Sequence, residues 1–154
     1  MNATVAASSY LARETLVSAA INAVISVGFF LLVFRGGDPI LVWGIGNYAF
    51  DFVPQSFAIG LMATLVPGLQ CRKAIVEGRI AGSSAAPAAP RAVVARSVRN
   101  AILAVLAGAG ACVLVLWVTG ADAIARNPAF LVKVLYGAVL GALVTRIALR
   151  RMVA

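Results

Sequence analysis

Four long runs of apolar residues, separated by short polar or basic segments, dominate the chain. The runs cover residues 16–34, 47–70, 99–118 and 127–149. Each run has about the ~20 residues that an α-helix needs to cross the ~30 Å hydrocarbon core of a bilayer. The pattern therefore predicts an all-α integral membrane protein, a bundle of four transmembrane helices.

Composition and charge support a membrane protein and argue against a soluble one. Of the 154 residues, 62% are hydrophobic and only 12% are charged, whereas soluble domains carry about 25% charged residues. The net charge of +8 comes from basic residues at the ends of the apolar runs. This placement is typical of membrane topology rather than of a nucleic-acid-binding surface. We therefore expect the lipid bilayer as a partner and no nucleic acid.

The segments between the runs divide the chain into five parts. These are an N-terminal arm at 1–15, a first hairpin at 16–70, a basic linker at 71–98, a second hairpin at 99–149 and a tail at 150–154. Within the first hairpin, apolar residues around Trp43 favour a short return into the membrane interface, where Trp43 and Tyr48 would lie.

Basic residues are concentrated in the arm, the linker and the tail. The positive-inside rule therefore predicts that both termini and the linker are cytoplasmic. The ten residues on this side are Arg13, Arg72, Lys73, Arg79, Arg91, Arg96, Arg99, Arg146, Arg150 and Arg151.

Polar and small residues within the spans indicate where helices pack together. Ser18, Asn22 and Ser26 are spaced by four residues, so they share one face of the first helix. That face should contact other helices, because lipid offers no hydrogen-bonding partner. Asn100 is expected to pack in the same way. Small residues that permit close helix approach are Gly108, Gly110, Gly137 and Gly141.

The two halves of the chain align without a gap at an offset of 78 residues. Asn22 then matches Asn100, and Gln55 matches Lys133, whereas Asp51 has no acidic counterpart because Ala129 takes its place. This alignment suggests two tandem hairpins of the same orientation, a parallel repeat.

The first half also carries a set of residues that resembles a known group of proteins. The set is an Asn in the first helix, an aromatic turn, and prolines followed by basic residues in the second helix. It resembles an uncharacterised family of small bacterial two-span inner-membrane proteins, and the resemblance implies a bacterial inner membrane. The residues that carry it are Asn22, Trp43, Pro54, Pro67, Arg72 and Lys73.

The stretch from Asn47 to Gln55 contains the candidate polar intramembrane site. Asp51 and Gln55 are four residues apart and share a helical face. Because Asp51 follows Asn47 closely, its position favours a carboxylate about one turn below the interface that reaches headgroup water or a neighbouring cation. The alternatives are a proton or cation site and an ion pair with Lys133, and we expect the face of Asp51 and Gln55 to point into the bundle toward the fourth helix. Lys133 would otherwise extend its ammonium group to the interface.

The remaining chemistry is sparse. The chain has no histidine and two cysteines at different depths, and it lacks a convergent catalytic set. We therefore expect no enzyme activity, no cofactor and no metal site. Two functions remain open: an accessory or assembly subunit that packs against a larger membrane complex, and a small homo-oligomeric transporter or channel that uses the region from Asp51 to Gln55.

Overall fold

The computed structural model describes residues 3–83 and 87–153, and it confirms a bundle of four helices that are long and apolar enough to span a membrane. The middle of the predicted linker, 84–86, lies outside the described residues. The helices are α1 (Ala3–Val33), α2 (Tyr48–Val76), α3 (Pro90–Thr119) and α4 (Arg126–Arg150). Within α3, two α-helical parts, Pro90–Leu103 and Gly110–Thr119, flank a π-helical segment, Ala104–Ala109.

The helices extend beyond the apolar runs. α1 includes most of the predicted arm, and α3 begins at Pro90 inside the predicted linker. Hydropathy locates only the part of a helix that crosses lipid, whereas the helix itself continues until a stop signal. For α2 that signal is Gly78, whose φ of 69° closes the helix as its N–H bonds to the carbonyl of Ile75. Pro90 suits the start of α3, since its missing N–H is not needed there.

A small sheet joins the two loops at one end of the bundle. Strand β1 (Ile40–Leu41) pairs antiparallel with β2 (Ala123–Ile124), and the N–H of Val42 donates to the carbonyl of Asp122 at 2.9 Å. The segment predicted to return into the membrane interface therefore forms a strand and a turn. Its backbone groups obtain partners from the other loop instead of remaining in lipid without them.

The opposite end brings together the beginning of α1, the end of α2, the linker and the C-terminal residues. Tyr10 of α1 packs with buried Cys71, Leu149 and Met152, and Gly82 forms a β-bridge with Val153. The segments predicted to share one side of the membrane thus share one end of the bundle. Here this end is called the basic end, after the ten basic residues named above.

The two helices of each hairpin are not the ones that pack most closely. α1 packs along α4, α3 packs along α2, and α2 and α4 meet in the centre, whereas α1 and α2 touch at few points. Each hairpin therefore places its first helix against the second helix of the other hairpin. Neither hairpin could bury its own polar face without the other.

The contacts follow the offset of 78 residues. Ser26 of α1 lies against Gly137 of α4. Its counterpart Ala104 lies against Gly60 of α2, one residue from the position that matches Gly137. Asn22 contacts Gly141, and its counterpart Asn100 donates to Thr64, one residue from the position that matches Gly141. This correspondence indicates an approximate two-fold relation between the hairpins, with its axis between α2 and α4, and it agrees with the tandem-hairpin interpretation.

Candidate functional site

A buried ion pair joins α2 and α4 near the end that carries the sheet. Lys133 Nζ lies 2.8 Å from Asp51 Oδ2 and 3.2 Å from Gln55 Oε1. Lys133 is 1% exposed and Asp51 is 8% exposed. The carboxylate therefore reaches a neighbouring cation and not headgroup water, on a face that points toward the fourth helix as predicted, and Lys133 does not extend to the interface. The ion-pair alternative is observed, because the offset of the two helices brings the first turn of α2 beside the second turn of α4.

Gln55 connects this pair to a third helix. Its Nε2 donates to Ser26 Oγ of α1 at 2.9 Å and to the backbone carbonyl of Lys133 at 3.4 Å. Since Gln55 and Lys133 occupy matching positions of the repeat, they meet where the approximate two-fold axis passes between α2 and α4. The amide accepts from the ammonium group and donates to a hydroxyl, so it links α1, α2 and α4 through one side chain.

Aromatic rings complete the surroundings of the ammonium group. Lys133 Nζ lies 3.6 Å from the centroid of the Phe52 ring and 5.1 Å from that of Tyr48. Tyr48 is buried, and its hydroxyl donates to the carbonyl of Ala129 at 2.9 Å, so the prediction that it lies at the interface is wrong. The ring faces add cation–π attraction in a place where water does not screen it.

These two rings were not predicted as part of the site. The signal was present in the spacing, because Tyr48 and Phe52 are four residues apart and flank Asp51 on the buried face of α2. Edge-to-face contacts connect Phe52 to Tyr48 and to Tyr136 at centroid distances of 5.2 and 4.9 Å. These ring contacts therefore hold Tyr48 and Phe52 in place beside the ammonium group of Lys133.

A second polar layer lies closer to the basic end. Thr145 Oγ1 donates to Ser18 Oγ at 2.7 Å and is also 2.8 Å from the carbonyl of Ala63. Asn22 Nδ2 donates to the carbonyl of Ser18 at 2.8 Å and lies against Gly141. The polar face predicted for α1 is therefore buried against α4. These hydrogen bonds tie α1, α2 and α4 together a second time.

Glu14 extends the same face by one turn and was not predicted. It precedes Ser18 by four residues and is 8% exposed, and its Oε1 lies 4.0 Å from Arg13 Nε. With Glu14, polar side chains follow one face of α1 from the basic end to the ion pair. The series is Glu14, Ser18, Asn22, Ser26, then Gln55 with Asp51 and Lys133.

Two of the predicted site and packing residues lie elsewhere. Asn47 precedes α2 at its N-cap position, but its side chain donates to the carbonyl of Trp43 and not to the helix or the ion pair. Gly110 is exposed, and a Cβ there would meet nothing within 4 Å, so the packing prediction for it is wrong. The π-helical segment ends just before Gly110. Residues two apart lie on nearly opposite sides of a helix, so Gly108 and Gly110 cannot both face the same neighbour.

The other packing residues lie at helix contacts. A Cβ at Gly108 would strike the Tyr136 hydroxyl, and one at Gly137 or Gly141 would overlap side chains of α1. Asn100 Nδ2 donates to Thr64 Oγ1 at 3.0 Å across the α2–α3 contact.

The donor set of the site suits hydrogen bonding and charge pairing more than metal binding. In the part of the chain that the structure describes, no three His, Cys, Asp or Glu residues group as metal ligands, and Cys71 and Cys112 are not in a disulfide. The site offers one carboxylate, one ammonium group, one amide and a series of hydroxyls. Comparison of the chain with family models, curated proteins and solved structures finds no match.

Proposed function

We propose that this protein is an accessory or assembly subunit that packs against a larger membrane complex. The main support for this proposal is that the buried polar groups around Asp51 and Lys133 are paired with one another. Within residues 3–83 and 87–153, every fully buried side-chain nitrogen and oxygen has a hydrogen-bond partner. The ion pair and Gln55 thus satisfy each other's hydrogen-bonding groups, and their contacts join three helices. This arrangement supports a structural role for the buried charges.

The outer surface supports a partner that lies within the membrane. An apolar groove of about 510 Å³ lies on the surface between α2 and α3, beside Pro54 and the π-helical segment. Its lining is apolar throughout. In lipid, helices associate mainly through shape and van der Waals contact, so a groove of this kind suits an apolar helix of another subunit. The residues of the groove are Phe50, Val53, Pro54, Phe57, Ile102, Val105 and Leu106.

The native mass of the full chain, extracted in a gentle detergent, tests this function. We expect complexes that exceed the 15.8 kDa chain by a reproducible mass that is not a multiple of it. The same complexes should form with the variant Asp51→Ala, Lys133→Gln, since a structural pair can be replaced by neutral groups. Complexes that contain only copies of this chain would contradict the accessory role.

A small homo-oligomeric transporter or channel is a second candidate, favoured by the series of polar side chains from Glu14 to Asp51. Ionisable residues inside membranes often mark proton or ion pathways. Proteoliposomes that contain a pH-sensitive dye distinguish the two functions. A transporter should lose proton or cation flux in Asp51→Ala, Lys133→Gln while it keeps its helical content. Equal flux in vesicles with and without the protein would remove this candidate.

We also propose a bacterial inner-membrane location with the basic end in the cytoplasm. Ten basic residues lie on the segments of that end, whereas Arg35 and Arg126 lie beside the sheet. A reporter fused to the C-terminus should be active in the cytoplasm, and one inserted at Gly36 should be active on the other side. A C-terminal fusion that reports the periplasm would contradict this orientation.

A further inference from the structure

The bundle has two lateral crevices that occupy matching positions in the repeat. One lies between α1 and α2, has a volume of about 200 Å³ and includes Asn22. The other lies between α3 and α4, has a volume of about 310 Å³ and includes Asn100. Both result from the same feature of the fold, since the two helices of each hairpin pack mainly against the other hairpin and only sparsely against each other.

The two crevices differ in charge at the basic end of the bundle. The α1–α2 crevice has Glu14 in its lining, followed by Ser18 and Ile21. Arg96 and Arg99 occupy the positions of α3 that match Ser18 and Ile21. At the basic end, one crevice thus has a carboxylate in its lining, whereas the other adjoins guanidinium groups.

Three arginines surround a cleft at the basic end of the α3–α4 crevice. Arg96 and Arg99 line it from α3, and Arg151 lines it from beyond the end of α4. Within the described chain, none of the three is in an ion pair; the carboxylates in ion pairs there are Glu14, Asp51 and Glu77. Cations that converge without a carboxylate between them favour an anion, and guanidinium groups bind phosphate oxygens in two-pronged fashion.

The cleft continues into the apolar α3–α4 crevice on the bundle surface. Asn100 and Ile147 belong to both the cleft and the crevice, so the two spaces adjoin. From Asn100 to Gly108 the crevice follows α3 for about 12 Å, most of the ~15 Å hydrocarbon thickness of one leaflet. Exposed Leu103 and Leu143 form its rims. The cleft has a volume of only about 20 Å³, so a phosphate would lie at its mouth, whereas an acyl chain fits the adjoining crevice.

We propose that the α3–α4 crevice binds an anionic phospholipid of the adjacent leaflet. The headgroup phosphate lies among Arg96, Arg99 and Arg151, and one acyl chain lies along the crevice beside Ala107. The geometry agrees with the general preference of basic pockets between membrane helices for anionic headgroups. The α1–α2 crevice, with Glu14 at the same end, does not bind this class of lipid.

Native mass spectrometry of the purified chain tests the headgroup. Phosphatidylglycerol and phosphatidylcholine with identical acyl chains are titrated separately, and bound lipid is counted. We expect preferential retention of phosphatidylglycerol. In the triple variant Arg96→Gln, Arg99→Gln, Arg151→Gln its affinity should fall roughly tenfold or more, since each basic residue at an anionic lipid contributes about 1 kcal/mol. Equal retention of the two lipids by the unmodified chain would overturn the proposal.

A matched control removes the same charge from the same end. Arg91, Arg146 and Arg150 are exposed and lie outside the cleft, so replacing all three by Gln should lower phosphatidylglycerol affinity much less than the first triple variant. An equal loss in both variants would show general charge attraction and overturn the site. Circular dichroism checks that both variants keep their helices.

A second pair of variants tests the acyl chain. Ala107→Leu fills the crevice, and Ala111→Leu adds the same volume at an exposed position one turn further along α3. We expect Ala107→Leu to weaken lipid retention several-fold and Ala111→Leu to leave it unchanged. If both leave it unchanged while inorganic phosphate displaces the lipid completely, the site binds soluble phosphate and the lipid proposal is wrong.

Discussion

The α1–α4 and α2–α3 interfaces occupy matching places in the repeat, yet one is polar and the other is mostly apolar. In the first, Ser26 and Asn22 lie against Gly137 and Gly141, and hydrogen bonds cross between the helices. In the second, the backbone of α3 at Ala101 lies directly against Gly60. Asn100 makes a hydrogen bond to Thr64 there.

The comparison separates two physical contributions to helix packing in lipid. Glycine sets the distance in both interfaces, because the absence of Cβ allows a neighbouring helix to approach. Hydrogen bonds then determine which partner a polar helix accepts, since an unsatisfied group in hydrocarbon is unfavourable. α1, with polar residues at every fourth position, requires α4. α3 has an apolar contact face and depends mainly on shape.

Giving both halves of the repeat the same residue at the buried ion pair should have the largest effect on stability. Lys133→Gln gives both halves the same residue at this position, but it leaves the Asp51 carboxylate buried without its cation. We expect a loss of about 3–5 kcal/mol, the usual effect of removing one partner of a buried ion pair. Unfolding in mixed micelles with increasing denaturing detergent measures this loss.

The double variant Asp51→Ala, Lys133→Gln provides the control for the ion pair. It removes both charges and gives each position the residue of its counterpart, Ala129 or Gln55. We expect it to recover a substantial part of the lost stability, because no unpaired charge remains. If the double variant loses as much as the sum of the single variants, the pair does not stabilise the bundle as the structure indicates.

Adding one methyl group to each interface should have the next largest effect. A Cβ at Gly60 would meet Ala101 Cα at 2.6 Å and the carbonyl oxygen of Asn100 at 2.9 Å. Backbone atoms cannot rotate away, so Gly60→Ala should separate α2 from α3 and cost about 1–3 kcal/mol. Gly137→Ala meets the Ser26 side chain instead, and the added variant Ser26→Ala should recover part of its loss. Thermal stability in detergent measures both.

Two glycines of α3 sharpen this test. Gly108→Ala places a Cβ against the Tyr136 hydroxyl, whereas Gly110→Ala meets nothing within 4 Å. Gly110→Ala should therefore be neutral, or stabilising by up to about 1 kcal/mol through helix propensity. A destabilising Gly110→Ala, or a neutral Gly60→Ala, would contradict the described helix contacts.

Replacing the paired asparagines should have the smallest effect and should differ between the interfaces. Hydrogen bonds between membrane helices contribute about 0.6 kcal/mol on average. Asn22 is buried against Gly141, and a leucine there would also overfill the contact, so Asn22→Leu should be worse than Asn100→Leu. Thermal unfolding of both variants checks the order. Equal losses would show that the polar character of the α1–α4 interface is not important for stability.

The sequence by itself determined that the long apolar runs lie in lipid, that they are helical, and which face of α1 packs against other helices. An apolar run of about 20 residues has no stable alternative to a helix in lipid, because every backbone group needs an internal partner. Polar residues at a spacing of four must likewise share a side that turns from lipid. For the same reason the ion pair was among the alternatives: Asp51 and Lys133 lie at similar depth, and neither charge is stable alone in hydrocarbon.

Only the tertiary structure decided which alternative holds and which helices are neighbours. Depth in the membrane is readable from position along the chain, but rotation about each helix axis is not. Gly108 and Gly110 lie on nearly opposite sides of α3, and only the packing shows that Gly108 is the one in a contact. The arrangement of hairpins across the two-fold axis, and not either hairpin alone, places Lys133 between Asp51, Gln55 and the rings of Tyr48 and Phe52.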